Sequence, residues 1–452
     1  MKIDKTDLIN FFNNGCKEPE NRMIGTEHEK FLFNLTTCKP VNISGPEPNL
    51  ESIFQKLKAN NWNEVKENGV TIGFKKENLN ITFEPGYQIE LSGDTQSNIH
   101  QTCIEVNSYL KELKNICTSM GVGIIGIGFI PNVKIEEVPK LEKKRYKIMR
   151  DYMPNVGSLG LDMMHRTATI QTNLDFESEE DMVKKFRISL SIQPAIIALY
   201  ANSPFVSGKL SNFMSYRSWV WQNTDHQRCG FLPMVFNEDF SFERYVDYLL
   251  NVPMYFLRRN NNYIDCTGMS FSDFLNGKLK AEIPNEPLLK DWEDHMTTVF
   301  PEVRLKTFLE LRGTDGGPWS SVCALPAFWV GLLYDSKNVD MLYEMIETWT
   351  NTDRTNFYID VAKFGMKAKA PKKKNIIELI ENLLTLSKNG LDRRAIFKNK
   401  ESESKFLEPL FEILNRGESQ AEIWVDLFKN TWSRDINNIY KSNIFRTFKG
   451  EE

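Results

Sequence analysis

The chain has 452 residues, 41% of them apolar and 26% charged, enough to bury one large core or two smaller ones. Lys and Arg total 56 against 60 Asp and Glu, a net charge of -4 without a basic block that could track a phosphate backbone, so no nucleic acid is expected as partner. The most apolar runs, Gly121 to Pro131 and Ala324 to Tyr334, fall well short of the roughly 20 residues of a membrane-spanning helix, so no membrane is expected either.

The first residues, Met1 to Asn10, mix Lys and Asp with isolated apolar side chains and lack the continuous apolar stretch of an export signal. Seven scattered cysteines without a CxxC pair argue against a disulfide framework, and the five histidines form no zinc-type HExxH pair. A reducing cytoplasm is the expected compartment.

Along the chain, Met1 to Asn21 reads as a helix, with Leu8, Ile9, Phe11 and Phe12 clustered before the Asn13-Asn14-Gly15 break. Short β-type runs follow at Ile24 to Phe33, Val70 to Phe74, Leu79 to Phe83 and Tyr87 to Leu91, separated by Gly, Pro or Asn. Ser97 to Met120 has the spacing of an amphipathic helix ending before Gly121. Gly123 to Ile130 and Thr167 to Leu174 read as strands, and Glu179 to Asn202 as a helix stopped by Ser203-Pro204. Arg244 to Tyr255 looks helical, Ile264 to Phe271 and Arg304 to Arg312 extended or mixed, and Pro326 to Leu342 helical again. A basic turn at Lys367 to Lys374 precedes a helix-rich part resembling a lid or cap, which divides the chain into a catalytic body, 1–366, and a helical C-terminal segment, 367–452. Strands come in runs without the regular interleaving of parallel βαβ units, so the expected class is α+β with an antiparallel sheet. GxGxxG and GxxxxGK[ST] are both absent, so any nucleotide is held by something other than a glycine-rich phosphate loop.

Carboxylates carry the functional signal. In Ile24-Gly25-Thr26-Glu27-His28-Glu29-Lys30-Phe31, strand alternation sends Glu27 and Glu29 to one face and His28 to the other, where a packed histidine is expected. Glu84 precedes a Pro-Gly turn, Glu90 sits in the strand that leaves it, and Glu310 and Arg312 share a strand face farther on. Taken singly, each reads as an outward residue of a half-exposed strand. Together they crowd like charges, which a compact fold offsets with a cation or arginines. Magnesium, a hard ion that bridges carboxylates to substrate phosphates, suits such a face.

Nine segments in order, IGTEHEKF, ITFEPGYQIELSG, DMMHRTATIQTNLDF, ANSPF, MSYRSWVWQNTD, FERYVDYLLNVPMYF, YIDCTGMSF, FPEVRLKTFLELRGTDGGPW and CALPAFWVGLLYD, resemble the plant and proteobacterial glutamate-cysteine ligases over most of the chain. The resemblance implies a glutamine-synthetase-type carboxylate-amine ligase: a curved antiparallel sheet carrying glutamate, cysteine, ATP and several Mg2+, surrounded by helices. It implies two steps, phosphorylation of the glutamate γ-carboxylate by ATP and displacement of phosphate by the cysteine amine. By the same resemblance Glu27, Glu29, Glu84, Glu90 and Glu310, with Gln171 as a sixth, are metal ligands. Arg312 would meet the transferred phosphate with Arg304 as helper, and Arg217 would clamp the glutamate α-carboxylate. Trp221 would wall the cysteine side, with Met164 and Arg166 lining the same pocket; ordinary core packing serves Trp221 and Met164 equally well. Replacing Glu27 or Glu310 with Ala is expected to stop turnover and leave the fold intact, because one fewer acid relieves repulsion. Cys266 matches one cysteine of the plant regulatory disulfide, but its partner position, fifteen residues on, is Ala281. With no plastid transit extension evident either, the expectation is a bacterial-type cytoplasmic enzyme, monomer or homodimer. Two alternatives stay open: a ligase of this type with another amine acceptor, and a non-catalytic nucleotide- or amino-acid-binding relative.

Overall fold

The computed structural model describes residues 3–442 apart from 261, 280–282 and 285. Among the described residues, nine strands form one antiparallel sheet: β1 (Ile24–Asn34), β2 (Asn63–Glu67), β3 (Val70–Lys76), β4 (Leu79–Phe83), β5 (Ile89–Ser92), β6 (Val122–Ile125), β7 (Thr169–Leu174), β8 (Val303–Leu305) and β9 (Leu309–Asp315). Their order is β8-β9-β7-β1-β5-β4-β3-β2, and β6 pairs with the second half of β1. The α+β expectation is met: helices gather round one large antiparallel sheet.

β1 is the centre because its first half has neighbours on both sides. Glu27 lies opposite Gln171 of β7 and Ser92 of β5, while Glu29 lies opposite Glu90 of β5. Alternation then divides the strand, with Glu27 and Glu29 on one face and His28 on the other. His28 packs against Tyr109 with ring centroids 5.7 Å apart, as expected of a packed histidine. Tyr109 belongs to an amphipathic helix, Ile99–Thr118, which starts on the Asn98 side chain accepting from the Gln101 amide and turns its apolar stripe to the core.

A second helix, Trp319–Leu333, is apolar nearly all round and runs through the interior, packed on β1, β7 and the helix Ile376–Arg394. The last two helices cross where Gly331 meets Gly390. A Cβ on Gly390 would sit 1.9 Å from the Gly331 carbonyl oxygen, so only glycine permits that approach.

Residues beyond 367 therefore pack on the body in two places. Ile376–Arg394 lies behind the sheet, while Trp424, Phe428 and Tyr440 join Phe31 and Phe33 of β1 in a separate apolar cluster. Phe33 and Tyr440 are 4.6 Å apart. The Glu403 carboxylate also accepts from the Ile99 amide at 2.6 Å, tying this segment to the start of a core helix.

Several boundaries differ from the sequence reading. The expected strand Gly123 to Ile130 ends at Ile125, because Gly126 and Gly128 press against Gly317 and Asp315, leaving no room for another strand. Pro326 to Leu342 spans two helices, Trp319–Leu333 and Ser336–Glu347. Among the described residues of Met1 to Asn21, an α-helix runs only over Lys5–Asn13, capped by Asp4, and a short 3-10 turn follows at Pro19–Asn21. The helix Leu50–Ala59 and strand β2 were not anticipated.

Candidate active site

Strand register assembles the acidic wall. Glu27 and Glu29 of β1, Glu90 of β5 and Glu84 in the turn between β4 and β5 line a cavity of about 210 Å³. Glu84 is set by that turn: Tyr87 donates its amide to the Glu84 carbonyl at 2.8 Å and takes a φ of +59°. Gln88 then staples the turn to the other wall, donating Nε2 to the carbonyls of Met164 (3.2 Å) and Thr167 (2.9 Å).

Each strand glutamate has a fixed anchor. Glu27 accepts from Asn173 Nδ2 at 2.8 Å and Gln171 Nε2 at 3.5 Å, Glu29 from the Thr169 amide at 3.1 Å, and Glu90 from Thr82 Oγ1 at 2.8 Å. Their charges are poorly compensated. Burial, and then Glu84 nearby, push the Glu29 carboxyl up to about 8, with Arg217 pulling the other way. Burial together with Glu84, Glu27 and Glu29 raises Glu90 well above the carboxylate range. Among the described residues no three His, Cys, Asp or Glu side chains stand close enough to hold a metal ion unaided.

The opposite wall is cationic, with Arg145, Arg304 and Arg312 lining the cavity beside Trp221, Phe300 and Met164. Arg304 and Arg312 are aimed by Glu310, whose position differs from the one expected of a metal ligand. Glu310 is 0% exposed and does not line the cavity. Its carboxylate accepts from Arg304 (2.7 and 2.9 Å), Lys306 (2.9 Å) and Arg312 (2.7 Å). Burial alone would raise this acid, but the three cations hold it well below the usual range. The hairpin of β8 and β9 is the cause, since it puts Arg304 directly opposite Glu310.

Two other expected residues also stand elsewhere. Arg217 begins the helix Tyr216–Gln222 and is buried behind β9, where it donates to the carbonyls of Gly313 and Arg312, both at 2.9 Å. Nη1 and Nη2 are thus bonded to backbone while Nε has no partner, and the sheet bulge at Arg312 and Gly313 leaves those carbonyls outside the strand ladder. Arg166 turns away to Asp162 (2.7 Å), the Val133 carbonyl (2.7 Å) and Ser207 (3.0 Å). Trp221, Met164 and Gln171 do line the cavity, Trp221 lying 5.4 Å beneath the Arg312 guanidinium.

Arg145, Gln88, Thr297 and Phe300 line the cavity without having been singled out from the sequence. Arg145 was hidden in Lys143-Lys144-Arg145, which reads like any solvated basic turn. Several lining atoms lack partners: Gln171 Oε1 on the acidic side, and Arg145 Nε, Arg304 Nε and Trp221 Nε1 on the other. Buried polar atoms are normally satisfied, so a group of unpaired ones among the residues lining a single cavity points to a ligand site.

The chain is 46% identical over 444 residues to a glutamate-cysteine ligase B of rice (Oryza sativa subsp. japonica), covering 98% of this chain and 88% of the relative. To the glutamate-cysteine ligase of Arabidopsis thaliana it is 45% identical over 445 residues, covering 98% and 83%. Among solved structures, a glutamate-cysteine ligase from Francisella tularensis in complex with AMP shares the fold, with a TM-score of 0.55 at 11% identity over 97% of this chain and 90% of that one. The rice and Arabidopsis relatives are named chloroplastic, which overturns the expectation of a cytoplasmic protein. Among the described residues no helix is long and apolar enough to cross a membrane. Cys266 is buried and unbridged, and burial pushes its thiol up to about 11; Ala281 lies outside the described residues. Residues 23–442 match glutamate-cysteine ligase family 2 (GCS2), and the chain belongs to that family.

Proposed function

We infer that this chain joins the γ-carboxylate of glutamate to the amine of cysteine with consumption of ATP, the step that begins glutathione synthesis. Family membership and the rice and Arabidopsis relatives support the activity. The observation that carries the chemistry is one cavity with Glu27, Glu29, Glu84 and Glu90 on one wall and Arg145, Arg304 and Arg312 on the other.

A carboxylate is a poor electrophile, so ligation to an amine needs a leaving group on the carboxyl carbon. Transfer of the ATP γ-phosphoryl group to glutamate supplies one, and the cysteine amine then displaces phosphate from γ-glutamyl phosphate. Both steps bring anions together, and the protein's task is to hold them in line and offset their charge. Arg304 and Arg312, kept in place by Glu310, present donors to the transferred phosphate. Trp221, Phe300 and Met164 form the apolar part of the lining and keep water from the activated carboxyl group.

The donor set fits magnesium. Glu27, Glu29, Glu84, Glu90 and Gln171 Oε1 are all hard oxygen donors, and Glu29 and Glu90 are too crowded to stay charged together without a cation. Their spacing, too open to enclose an ion unaided, suits one whose coordination is completed by substrate phosphate oxygens. Bound there, magnesium supplies the positive charge that lets nucleotide and glutamate approach. Arg217 and Arg166 support this site through its framework rather than by touching substrate.

The test is ATP hydrolysis by the purified chain with glutamate, magnesium and a panel of amines. Cysteine-dependent ADP release with formation of γ-glutamylcysteine is expected, and turnover indifferent to the amine would defeat the assignment.

A further inference from the structure

Arg145 differs from the other cations of the cavity. Arg304 and Arg312 are both paired to Glu310, whereas among the described residues no carboxylate lies within ion-pairing distance of Arg145. Its guanidinium rests over Phe256 (5.5 Å) and Tyr146 (5.9 Å), one nitrogen reaches Thr297 Oγ1 at 3.4 Å, and Nε has no partner. It is a charge held in place by rings and a hydroxyl, without an ion-pair partner among the described residues.

The local backbone sharpens the point. Arg145 is the second residue of the helix Lys144–Tyr152, which has no side-chain cap and no acid in its first turn. Lys143, Lys144 and Arg145 thus stand at the positive end of a helix, where cations cost stability and an anion relieves them. Lys143 is itself half-buried, and its ammonium is pushed down first by burial and then by Arg145, with Arg258 adding to that and Glu84 and Glu67 opposing. More positive charge gathers here than one amino-acid carboxylate could match, whereas a polyphosphate carries several negative charges. Glu84 acts on both Lys143 and Glu29, so this cluster adjoins the acidic wall.

We propose that Arg145, backed by Lys143, binds the phosphate chain of the nucleotide, in the same cavity as the arginines that Glu310 holds. The assignment rests on reading the cavity as the site of an ATP-using ligase. Amino-acid substrates would then be gripped by other groups, and loss of Arg145 would be felt in the nucleotide requirement alone.

The test uses the full chain and its Arg145→Ala and Arg145→Lys variants, with ATP, glutamate and cysteine varied separately and magnesium-ATP binding measured by calorimetry. Arg145→Ala should raise the KM for ATP and weaken nucleotide binding by roughly 10- to 100-fold, with the glutamate and cysteine KM values within about threefold of the parent. Arg145→Lys should recover part of the loss, because a point charge remains without the planar fork. Unchanged ATP dependence, or a shift confined to glutamate or cysteine, overturns the proposal. If the parent chain makes no γ-glutamyl product, the proposed function fails first; calorimetry still decides on Arg145, equal nucleotide affinity in parent and variant refuting it. Should Arg145→Ala fail to fold, Arg145→Gln and Lys143→Gln are read the same way.

Discussion

Two sets of glutamates share one face of the sheet and live in opposite electrostatic worlds. Glu29 and Glu90 face each other across β1 and β5 with Glu84 nearby, and burial and mutual repulsion raise both. Glu310 lies across β7 from them, ringed by Arg304, Lys306 and Arg312, and its carboxyl is held well below the usual range. Residue type and strand face are the same, so what separates them is the company each keeps. An acid left uncompensated is poised for a cation from outside; one that is over-compensated organises the cations already present.

The largest effect should come from breaking the compensated set. Glu310→Gln leaves three cations without their common partner, and a loss of about 3–5 kcal/mol in urea unfolding is expected. This reverses the sequence-based expectation that the fold would survive removal of Glu310; an unchanged unfolding midpoint would show that the ion pairs contribute nothing. On the uncompensated side, Glu27→Ala should keep the fold and cut kcat by roughly 100-fold or more, with magnesium dependence shifted to higher concentration. Activity at the parental level would take Glu27 out of the site.

Arg217→Ala probes the scaffold between the two sets. It removes the donor to the Gly313 carbonyl and one of two donors to the Arg312 carbonyl, and should lower stability by about 1–3 kcal/mol with the glutamate KM little changed. A large rise in that KM at unchanged stability would restore Arg217 as a substrate clamp.

The smallest effect is a pH dependence of opposite sign in the two sets. Glu29 has a folded-state value of about 8, above its ordinary 4.5, so the native state binds the extra proton and its contribution is lost as pH rises from 4.5 to about 8. Glu310 is depressed, so its contribution is present above 4.5 and lost only as pH falls through its low folded value. Metal-free protein should therefore become less stable between pH 5 and pH 8, and magnesium should raise Tm more at pH 8 than at pH 5. Glu29→Gln should flatten both slopes, and a Tm that climbs with pH in metal-free buffer would contradict the assignment.

Much of this was legible before any coordinates, because strand alternation has a fixed period. Glu27 and Glu29 had to share a face, and His28 had to leave it. What one strand cannot reveal is which residues oppose it. The pairing of Glu29 with Glu90, and of Glu310 with Arg304, depends on register between segments more than sixty residues apart in the first case and on one tight hairpin in the second. Arg145 was illegible for another reason. What distinguishes it from Lys143 and Lys144 beside it is the Phe256 ring beneath it and its place in the cavity lining, both set by packing. The bonds from Arg217 to backbone were not legible because they depend on a bulge in β9, which leaves no trace in residue type.

The ring of Tyr440 against Phe33 ties the central strand to a segment far away in sequence. Phe31 and Phe33 gain that part of their cover only when the segment carrying Trp424, Phe428 and Tyr440 docks. Contacts between segments so distant in sequence are slow to form and leave apolar surface open meanwhile, so the folding of this enzyme is exposed to aggregation until that segment is in place.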